Sequence, residues 1–336
     1  MTQNSFINWL LMFLLPIFTS CIDDDRGRCS VSLSIQFTYK LYNQEMEYAD
    51  AFSSAVDQVT LFVFDELGGF VMQQSESGSS LKRSNYRMIV RNLPENNFQL
   101  IVVGGLNKSS FGVPMLTPEL SSIEDFTIRL MELNKGISDK ELNPLFYGSE
   151  TILECCNRED KEMFVEISLI KNTNGFRILL QSDDNERLNP DDFQFEIVDK
   201  NGILDSENKA ITTLEVTYHP FLTGNPTLED ELGERKEVTS IVYAELSTSK
   251  LFATHSKIAR LRIYNRVLNS VVLDIPIIEM VLLMKSEKHS DTIDNQTYLD
   301  RIHSFYMTLF MHNNVWLKAK IIINGWTINI NEIGDF

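Results

Sequence analysis

Short runs in which apolar and polar residues alternate recur along the chain from residue 29 onward. In the first run, residues 29–41, the side chains of Val31, Leu33, Ile35 and Phe37 fall on one side of an extended backbone. That spacing is typical of a strand with one buried face. Similar runs predict further strands at 84–94, 98–106, 126–133, 146–153, 163–170, 174–182, 214–222, 239–246, 259–268, 271–277 and 305–311.

Turn residues between neighbouring runs indicate which strands form hairpins. Gly68-Gly69 lies inside the apolar segment 56–71, and Asn201-Gly202 lies inside 192–204, so both segments are predicted to be hairpins. The last segment, 316–330, is predicted to be a closing hairpin. No long helical period is present, and short helices are predicted only at 48–55, 118–125 and 296–303.

Strands at such short intervals predict an all-β fold of the β-sandwich type, because a parallel α/β fold would need helices between its strands. A polar break at 171–174 separates two series of strands. We therefore predict two tandem domains of ordinary size, an N-terminal β-sandwich at 29–171 and a C-terminal β-sandwich at 172–336.

The charge of the chain restricts its partners. Its 47 acidic residues outnumber its 30 basic residues, for a formal net charge of −17 and a pI near 4.7. Nucleic acid is not an expected partner, because its phosphates require a basic surface. Electrostatic attachment to anionic lipid is excluded on the same ground.

The N-terminal segment offers another route to a membrane. Residues 6–18 are almost entirely apolar, but the run is shorter than the roughly 20 residues that span a bilayer. It is followed by Thr19, Ser20 and Cys21, which resembles the lipobox of bacterial lipoproteins, although no basic residue precedes the run and Phe18 replaces the commoner Leu. We predict a lipoprotein signal peptide at 1–20. The alternative is an uncleaved segment with Cys21 buried or disulfide-bonded.

Acylation of Cys21 would attach the chain to a membrane without any help from charge. Each buried methylene contributes about 0.8 kcal/mol, so several acyl chains, such as palmitate, give stable anchoring. Residues 21–28 are predicted to be an acidic tether. Within it, Asp23, Asp24 and Asp25 resemble the surface-export signal of lipoproteins in Bacteroides-type bacteria, so we expect the outer face of the outer membrane. A plain solvated tether is the alternative.

The other cysteines are Cys29, Cys155 and Cys156, which lack the paired spacing of a zinc site. Adjacent cysteines rarely bond to each other without strain. We interpret all three as incidental, and a bridge from Cys29 to the pair remains an alternative.

Four segments together carry a family resemblance. VDQVTLFVFDELGGFV at 56–71 and FQLIVVGGL at 98–106 resemble segments of the FimB-type fimbrial anchor subunits of Bacteroides-type bacteria, also called minor fimbrium anchoring subunits. QTYLDRIHSFYMTLFM at 296–311 and VWLKAKIIINGWTINI at 315–330 are similar to the closing part of that family. The middle of the second predicted domain, 205–257, carries little of the resemblance.

The resemblance implies two transthyretin-like Greek-key β-sandwich domains in a non-enzymatic subunit at the base of a fimbrium. It also implies two partners, the outer membrane through the lipid and a fimbrial shaft subunit through contacts of the strand-addition type. Shaft subunits of such systems lose their first strand to an arginine-specific protease, which leaves a groove for a neighbour's strand.

An anchor subunit should keep its first strand, because its lipid is attached at the N-terminus. No arginine lies between Arg28 and Arg83, so such a protease could not remove the strand at 29–41. We predict that this strand stays in its sheet. A chance scarcity of arginine in strands is the alternative explanation of the gap.

No enzyme or cofactor site is indicated. His219, His255, His289, His303 and His312 share no ligand spacing, and we expect them to be ordinary surface or core residues. No catalytic, metal or cofactor-binding residue is therefore predicted.

Three other segments are interpreted structurally. Asp65 is expected to bind backbone amides in its turn, since aspartate commonly does so. Gly104-Gly105 is interpreted as a strand end rather than a phosphate loop. The acidic segment 229–237 does not have the EF-hand calcium spacing and is interpreted as a solvated loop.

Trp316 and Trp326 are the candidate subunit-interface residues. They lie in the predicted closing hairpin, where filling the second core is the favoured role and contact with a neighbouring subunit is the alternative. A fimbrial tip or adhesin lipoprotein is the alternative function, and a glycan-active enzyme would need paired carboxylates that nothing in the sequence indicates.

Overall fold

The fold is built almost entirely of strands, which confirms the all-β prediction. The structure, a computed structural model, describes residues 30–42, 49–94, 97–131, 133–153, 162–229, 235–288, 293–312, 315–323 and 325–328. Within these ranges no helix combines the length and apolarity needed to cross a membrane.

Among the described residues before residue 172, the chain forms eleven strands and one short helix, α1, at Phe52–Ala55. The strands are β1 (Ser30–Leu41), β2 (Ala49–Asp50), β3 (Gln58–Asp65), β4 (Phe70–Ser77), β5 (Met88–Pro94), β6 (Phe98–Gly104), β7 (Phe111–Gly112), β8 (Ile128–Leu130), β9 (Ile137–Ser138), β10 (Phe146–Ile152) and β11 (Glu162–Lys171).

The rest of the chain contributes the remaining strands and two longer helices, α2 at Ile277–Lys288 and α3 at Asn295–Leu299. The strands are β12 (Thr173–Ser182), β13 (Phe193–Asp199), β14 (Ile203–Leu204), β15 (Val216–Tyr218), β16 (Leu222–Gly224), β17 (Thr227–Glu229), β18 (Arg235–Glu237), β19 (Ile241–Ser249), β20 (Arg260–Asn265), β21 (Ser270–Pro276), β22 (Ser304–His312), β23 (Val315–Ile323) and β24 (Trp326–Ile328). Single 3₁₀ turns lie at Ile123–Asp125, Pro190–Asp192 and Ala253–His255.

The first eight-stranded sheet has the order β2-β1-β11-β10-β6-β3-β4, with β5 also paired to β1. The predicted hairpin at 56–71 is formed by β3 and β4, which pair antiparallel from Gln58 opposite Ser77 to Phe64 opposite Phe70. β3 also pairs with β6, so it lies inside the sheet.

The second half contains a six-stranded sheet, β16-β19-β12-β22-β23-β24, and a five-stranded sheet, β21-β20-β13-β15-β9. The strands at 304–312 and 315–323 form the start of the closing region, and β24 pairs with β23 from Ile328 opposite Ile321 to Trp326 opposite Ile323. The predicted closing hairpin at 316–330 therefore corresponds to β23 and β24.

Strands from before residue 172 also pair with strands after it. β9 pairs parallel with β15, and β8 pairs antiparallel with β14 as well as with β7. A backbone bond from the N–H of Leu130 to the carbonyl of Gly202 (2.8 Å) extends this pairing. The division at residue 172 stays a prediction, and the segment that carries β7, β8 and β9 is bonded across it.

Two hydrophobic cores share one sheet. Leu61 and Val63 of β3 face the first core with the buried side chains of β1. Phe62 and Phe64 of the same strand face a second core, which continues into the strands after residue 172. Because both faces of β3 are buried, its sequence is a continuous apolar run rather than an alternating one.

The predicted hairpin at 192–204 is wrong. β13 lies between β20 and β15, so neither of its edges is open to β14, which pairs with β8 instead. The turn residue Asn201 is itself buried, and its amide donates to the carbonyl of Lys250 (2.9 Å).

The helices differ most from the prediction. Of the three predicted segments, 48–55 contains α1 after a two-residue strand, 118–125 contains only a 3₁₀ turn, and 296–303 overlaps α3. α2 was not predicted. Leu282 and Leu283 also pack, partly buried, against the core beside the fully buried Ile277, Ile278 and Val281, so the segment lacks the wide polar face that marks a surface helix.

Candidate functional site

The first strand is seated inside its sheet. β1 pairs parallel with β11 from Ser32 opposite Glu162 to Tyr39 opposite Leu169, and its other edge pairs antiparallel with β5. Its core-facing side chains are almost completely buried, with exposures of 0–4%; they are Val31, Leu33, Ile35, Phe37 and Tyr39. The groove that this strand fills is therefore closed in the structure.

The strand that opens the second half is placed in the same way. β12 pairs parallel with β22 from Gly175 opposite Ser304 to Ser182 opposite Met311, and antiparallel with β19 on its other side. β1 thus lies beside and parallel to β11, the last long strand of the first half. In the second half, β12 likewise lies beside and parallel to β22, the strand that begins the closing region. Among the described strands, β24 forms one edge of the six-stranded sheet.

The predicted site residues lie mainly beyond what can be described. Cys21, Asp23, Asp24 and Asp25 are outside the described residues, and so are the three remaining cysteines. Trp316 belongs to β23, opposite Met311, and Trp326 belongs to β24, opposite Ile323. Only the backbones of these two tryptophans are described, so whether their side chains fill the core or contact a neighbouring subunit stays a prediction.

Two turn predictions are explained by the geometry. Asp65 Oδ1 accepts hydrogen bonds from the backbone N–H groups of Leu67 (2.9 Å) and Gly69 (2.7 Å), so the carboxylate holds its own turn. Gly105 follows directly after β6 with φ +86°, and a Cβ there would lie 2.1 Å from the carbonyl oxygen of Pro144. The paired glycines therefore end a strand in a position that only glycine fits.

A buried histidine–aspartate pair was not foreseen. His255 Nδ1 lies 2.7 Å from Asp199 Oδ1, and both side chains are at most 5% exposed. The fully buried Tyr218 donates to Asn201 Oδ1 (2.7 Å) in the same part of the core, and burial raises the pKa of Tyr218. The pair joins residues far apart in sequence, so no local spacing announces it.

The ends of β12 and β22 bring together another group. The parallel register places Asp183 and Asp184 beside His312, and ligand atoms of all three lie within 4.8 Å of one another. The exposed His312 ring donates to Asp183 Oδ1 (2.8 Å), and this hydrogen bond raises the pKa of His312. The two carboxylates thus already interact with the imidazole of His312, so these three residues form a surface ion pair.

A cavity of about 340 Å³ lies at the start of β12, where the two halves of the chain meet. Arg177 of β12, Glu245 of β19 and Tyr306 of β22 form a row across three neighbouring strands on one wall. Arg177 Nε donates to Glu245 Oε1 (2.9 Å). Phe221 and Lys171 also line the cavity.

The cavity lining carries charges of both signs: Lys171 and Arg177 are basic, Glu141 and Glu245 are acidic, and Arg177 is bonded to Glu245. Burial lowers the pKa of Lys171, and no carboxylate of the described residues compensates for that burial. The pKa of His303 falls to about 3, mainly through burial and then through the charges of Lys171 and Lys250. Lys250, in contrast, is paired with Asp300 at 3.1 Å. Lys171 is therefore a half-buried cation at the cavity without a partner of opposite charge.

A model of the family described as fimbrillin-A associated anchor proteins Mfa1 and Mfa2 matches residues 26–332. No curated protein matches the chain at a significant level.

Solved structures share the fold. A putative adhesin from Bacteroides thetaiotaomicron VPI-5482 is 31% identical, with a TM-score of 0.76 over 90% of this chain and 98% of that one. A structure described as putative polysaccharide binding proteins from the same organism is 28% identical, with a TM-score of 0.76 over 91% of this chain and 100% of that one. The fimbrial anchor protein Mfa2 from Porphyromonas gingivalis is 15% identical, with a TM-score of 0.67 over 90% and 99% of the two chains, and shows the fold alone.

The family match extends over nearly the whole chain, and the adhesin structure is similar over almost its full length. Both findings agree with the resemblance carried by the four sequence segments, which is thereby confirmed. The family consists of fimbrial anchor proteins rather than enzymes, and it implies association with a fimbrium at the cell surface. The chain belongs to the family of fimbrillin-A associated anchor proteins.

Proposed function

We propose that the chain is the lipid-anchored base subunit of a surface fimbrium, which attaches the fimbrial shaft to the outer membrane. The family match supports a fimbrial subunit, and the lipobox-like sequence before Cys21 supports the lipid. Asp23, Asp24 and Asp25 support export to the outer face of that membrane. Lipid attachment would also overcome the unfavourable net charge of −17 at an anionic surface.

The seating of β1 is the observation that carries this proposal. A base subunit must stay covalently continuous from its lipid to its folded part. β1 follows the tether directly, is paired along both edges and buries its whole apolar face. With no arginine between Arg28 and Arg83, an arginine-specific protease has no cleavage site in this strand or in the segment directly after it.

The shaft subunit would then bind elsewhere, and β24 offers an edge for it. A strand added to an open edge gains backbone hydrogen bonds along its length and specificity from alternate side chains. β24 is one edge of the six-stranded sheet and pairs with β23 on its other side. Trp316 and Trp326 belong to these two strands and are the proposed interface residues.

Substitution of the lipidated residue tests the anchor. Cells producing Cys21→Ala should release intact fimbriae into the medium, whereas the matched variant Cys29→Ala should retain them. Mass spectrometry of the native protein should show an acylated N-terminus at Cys21. A mature chain that begins beyond residue 41, or one with an unmodified N-terminus, would contradict the proposal.

A fimbrial tip or adhesin is the second candidate, favoured by the similarity to a structure described as a putative adhesin. A tip subunit lies far from the membrane, so its loss leaves the shaft attached to the cell. Fimbriae that stay on cells producing Cys21→Ala would therefore favour the tip. Shed fimbriae favour the base.

A further inference from the structure

The cavity at the start of β12 has a glycine, Gly175, where the sheet forms its base. Gly175 lies between Ser247 of β19 and Ser304 of β22 and lines the cavity. A Cβ built on Gly175 would meet only the carbonyl oxygen of His303, at 4.0 Å. The absent side chain therefore leaves room above the sheet. A volume of about 340 Å³ is within the range of small-molecule sites and suits one or two sugar rings.

The walls of the cavity combine aromatic and hydrogen-bonding groups. Tyr306, which is 53% exposed, and Phe221 supply aromatic surface to the lining. The Arg177–Glu245 pair lies beside Tyr306 in the row across the sheet, and it retains donors on the guanidinium and acceptors on the carboxylate. A ring with an apolar face and several hydroxyl groups fits this combination.

Lys171 adds a charge requirement. A half-buried ammonium group without a counter-ion is costly, and a ligand carboxylate would supply the missing partner through charge-assisted hydrogen bonds. The lowered pKa of Lys171 agrees with this lack of compensation. The cavity also contains Glu141 at its rim, but no ion pair joins Glu141 to Lys171 among the described residues.

We infer that this cavity binds a carboxylate carried on a hydroxylated ring, as in a uronic acid. The carboxylate pairs with Lys171, the ring packs over Gly175 against Tyr306 and Phe221, and hydroxyl groups bond to the Arg177–Glu245 pair. Such binding is independent of lipid anchoring, because every residue that lines the cavity lies between Glu141 and Tyr306, in the folded part of the chain.

The inference is tested with purified protein that lacks the signal peptide and D-glucuronate as the probe. Binding is measured by isothermal titration at physiological salt, where the Debye length is about 8 Å and the acidic surface is screened. We expect saturable binding of glucuronate. D-glucose should bind at least about tenfold more weakly because it lacks the charge-assisted bond, which contributes roughly 1.5–3 kcal/mol. Acetate should also bind more weakly, because it lacks the ring and its hydroxyl groups.

Variants locate the site. Lys171→Met should weaken glucuronate binding at least about tenfold, and Lys171→Arg should restore most of it because the charge is kept. Gly175→Leu, which fills the floor, should abolish binding. The exposed Lys257→Met is the matched control and should bind as the unmodified protein does.

Thermal denaturation of each variant shows whether its fold is kept, and the Lys171→Arg comparison remains decisive if Gly175→Leu unfolds. Absence of saturable glucuronate binding, equal binding by glucose, or unchanged binding by Lys171→Met would each overturn the inference.

Discussion

At the residue scale, backbone geometry explains more of this protein than reactive chemistry does. Gly105 and Asp65 hold two turns at the ends of strands, one by lacking a side chain and the other by binding amide groups. Asp65 could be interpreted from its position in a Gly-rich turn. The contact between Gly105 and the carbonyl of Pro144 could not, because the two segments meet only in the fold.

Gly105 and Gly78 provide a matched test of that contact. Both have positive φ, +86° and +85°, but a Cβ on Gly78 would meet no atom within 4 Å. Gly78→Ala should cost about 1–2 kcal/mol through backbone strain alone. Gly105→Ala should cost about 1–3 kcal/mol more through its clash with Pro144. Urea denaturation measures both, and equal destabilisation would contradict the proposed contact.

The candidate functional residues also fall into two groups, those recognisable from local sequence and those that only the fold brings together. Cys21 was proposed from a local pattern of an apolar run, small residues and cysteine, which needs no tertiary information. The pair of Asp199 and His255, and the lining of the cavity by Lys171, Arg177 and Tyr306, depend on segments distant in sequence. The chemistry that the sequence missed therefore lies where separate strands come together.

At the element scale, β1 fills the groove between β11 and β5 in the first sheet. Its alternating pattern was visible in the sequence because side chains two residues apart share a face of a strand. The pairing partners were not visible. The parallel pairing with β11 depends on which edge remains open after the intervening strands have formed.

Neighbouring residues of β1 test its contribution. Ile35 is fully buried, whereas Gln36 points to the opposite face and is half-buried. Ile35→Ala should lower the free energy of unfolding by about 2–5 kcal/mol, because it leaves a cavity in the core. Gln36→Ala should change it by at most about 0.5 kcal/mol. Urea denaturation distinguishes the two, and similar costs would show that β1 is not packed as described.

Failures at this scale have physical causes. The Asn201-Gly202 turn had the chemistry of a hairpin, but both edges of β13 were already occupied, so β14 paired with β8. α2 was missed because apolar residues continue from β21 through Pro276 into the helix, where most of them are buried. For the 192–204 segment, tertiary pairing overrode the local preference for a hairpin. For α2, the sequence contained no polar face by which a surface helix could be recognised.

At the scale of the whole molecule, the segment that carries β7, β8 and β9 connects the two halves. β8 finds its second partner in β14, and β9 pairs only with β15 among the described strands. The second core also includes side chains from β3, β6 and β10. Residues before and after 172 therefore stabilise one another.

A fragment that ends at residue 171 tests this dependence by hydrogen exchange. In the full chain, the amide of Leu130 in β8 should be protected, since it donates to the carbonyl of Gly202. In a fragment of residues 29–171 this amide should exchange rapidly, because Gly202 is absent. Amides of β3 are the internal control, as its partners β4 and β6 remain. Retained protection of the Leu130 amide in the fragment would contradict the dependence.

The sequence by itself determined which segments are extended, because burial of one strand face is recorded by residues two positions apart. It also determined the family, through four segments in the expected order, and it indicated a lipidated N-terminus. Only the tertiary structure decided which strands pair, how the halves are joined and where Lys171 meets the aromatic wall. Those outcomes depend on which edges and surfaces remain free once the chain is compact, and no local stretch of sequence contains that information.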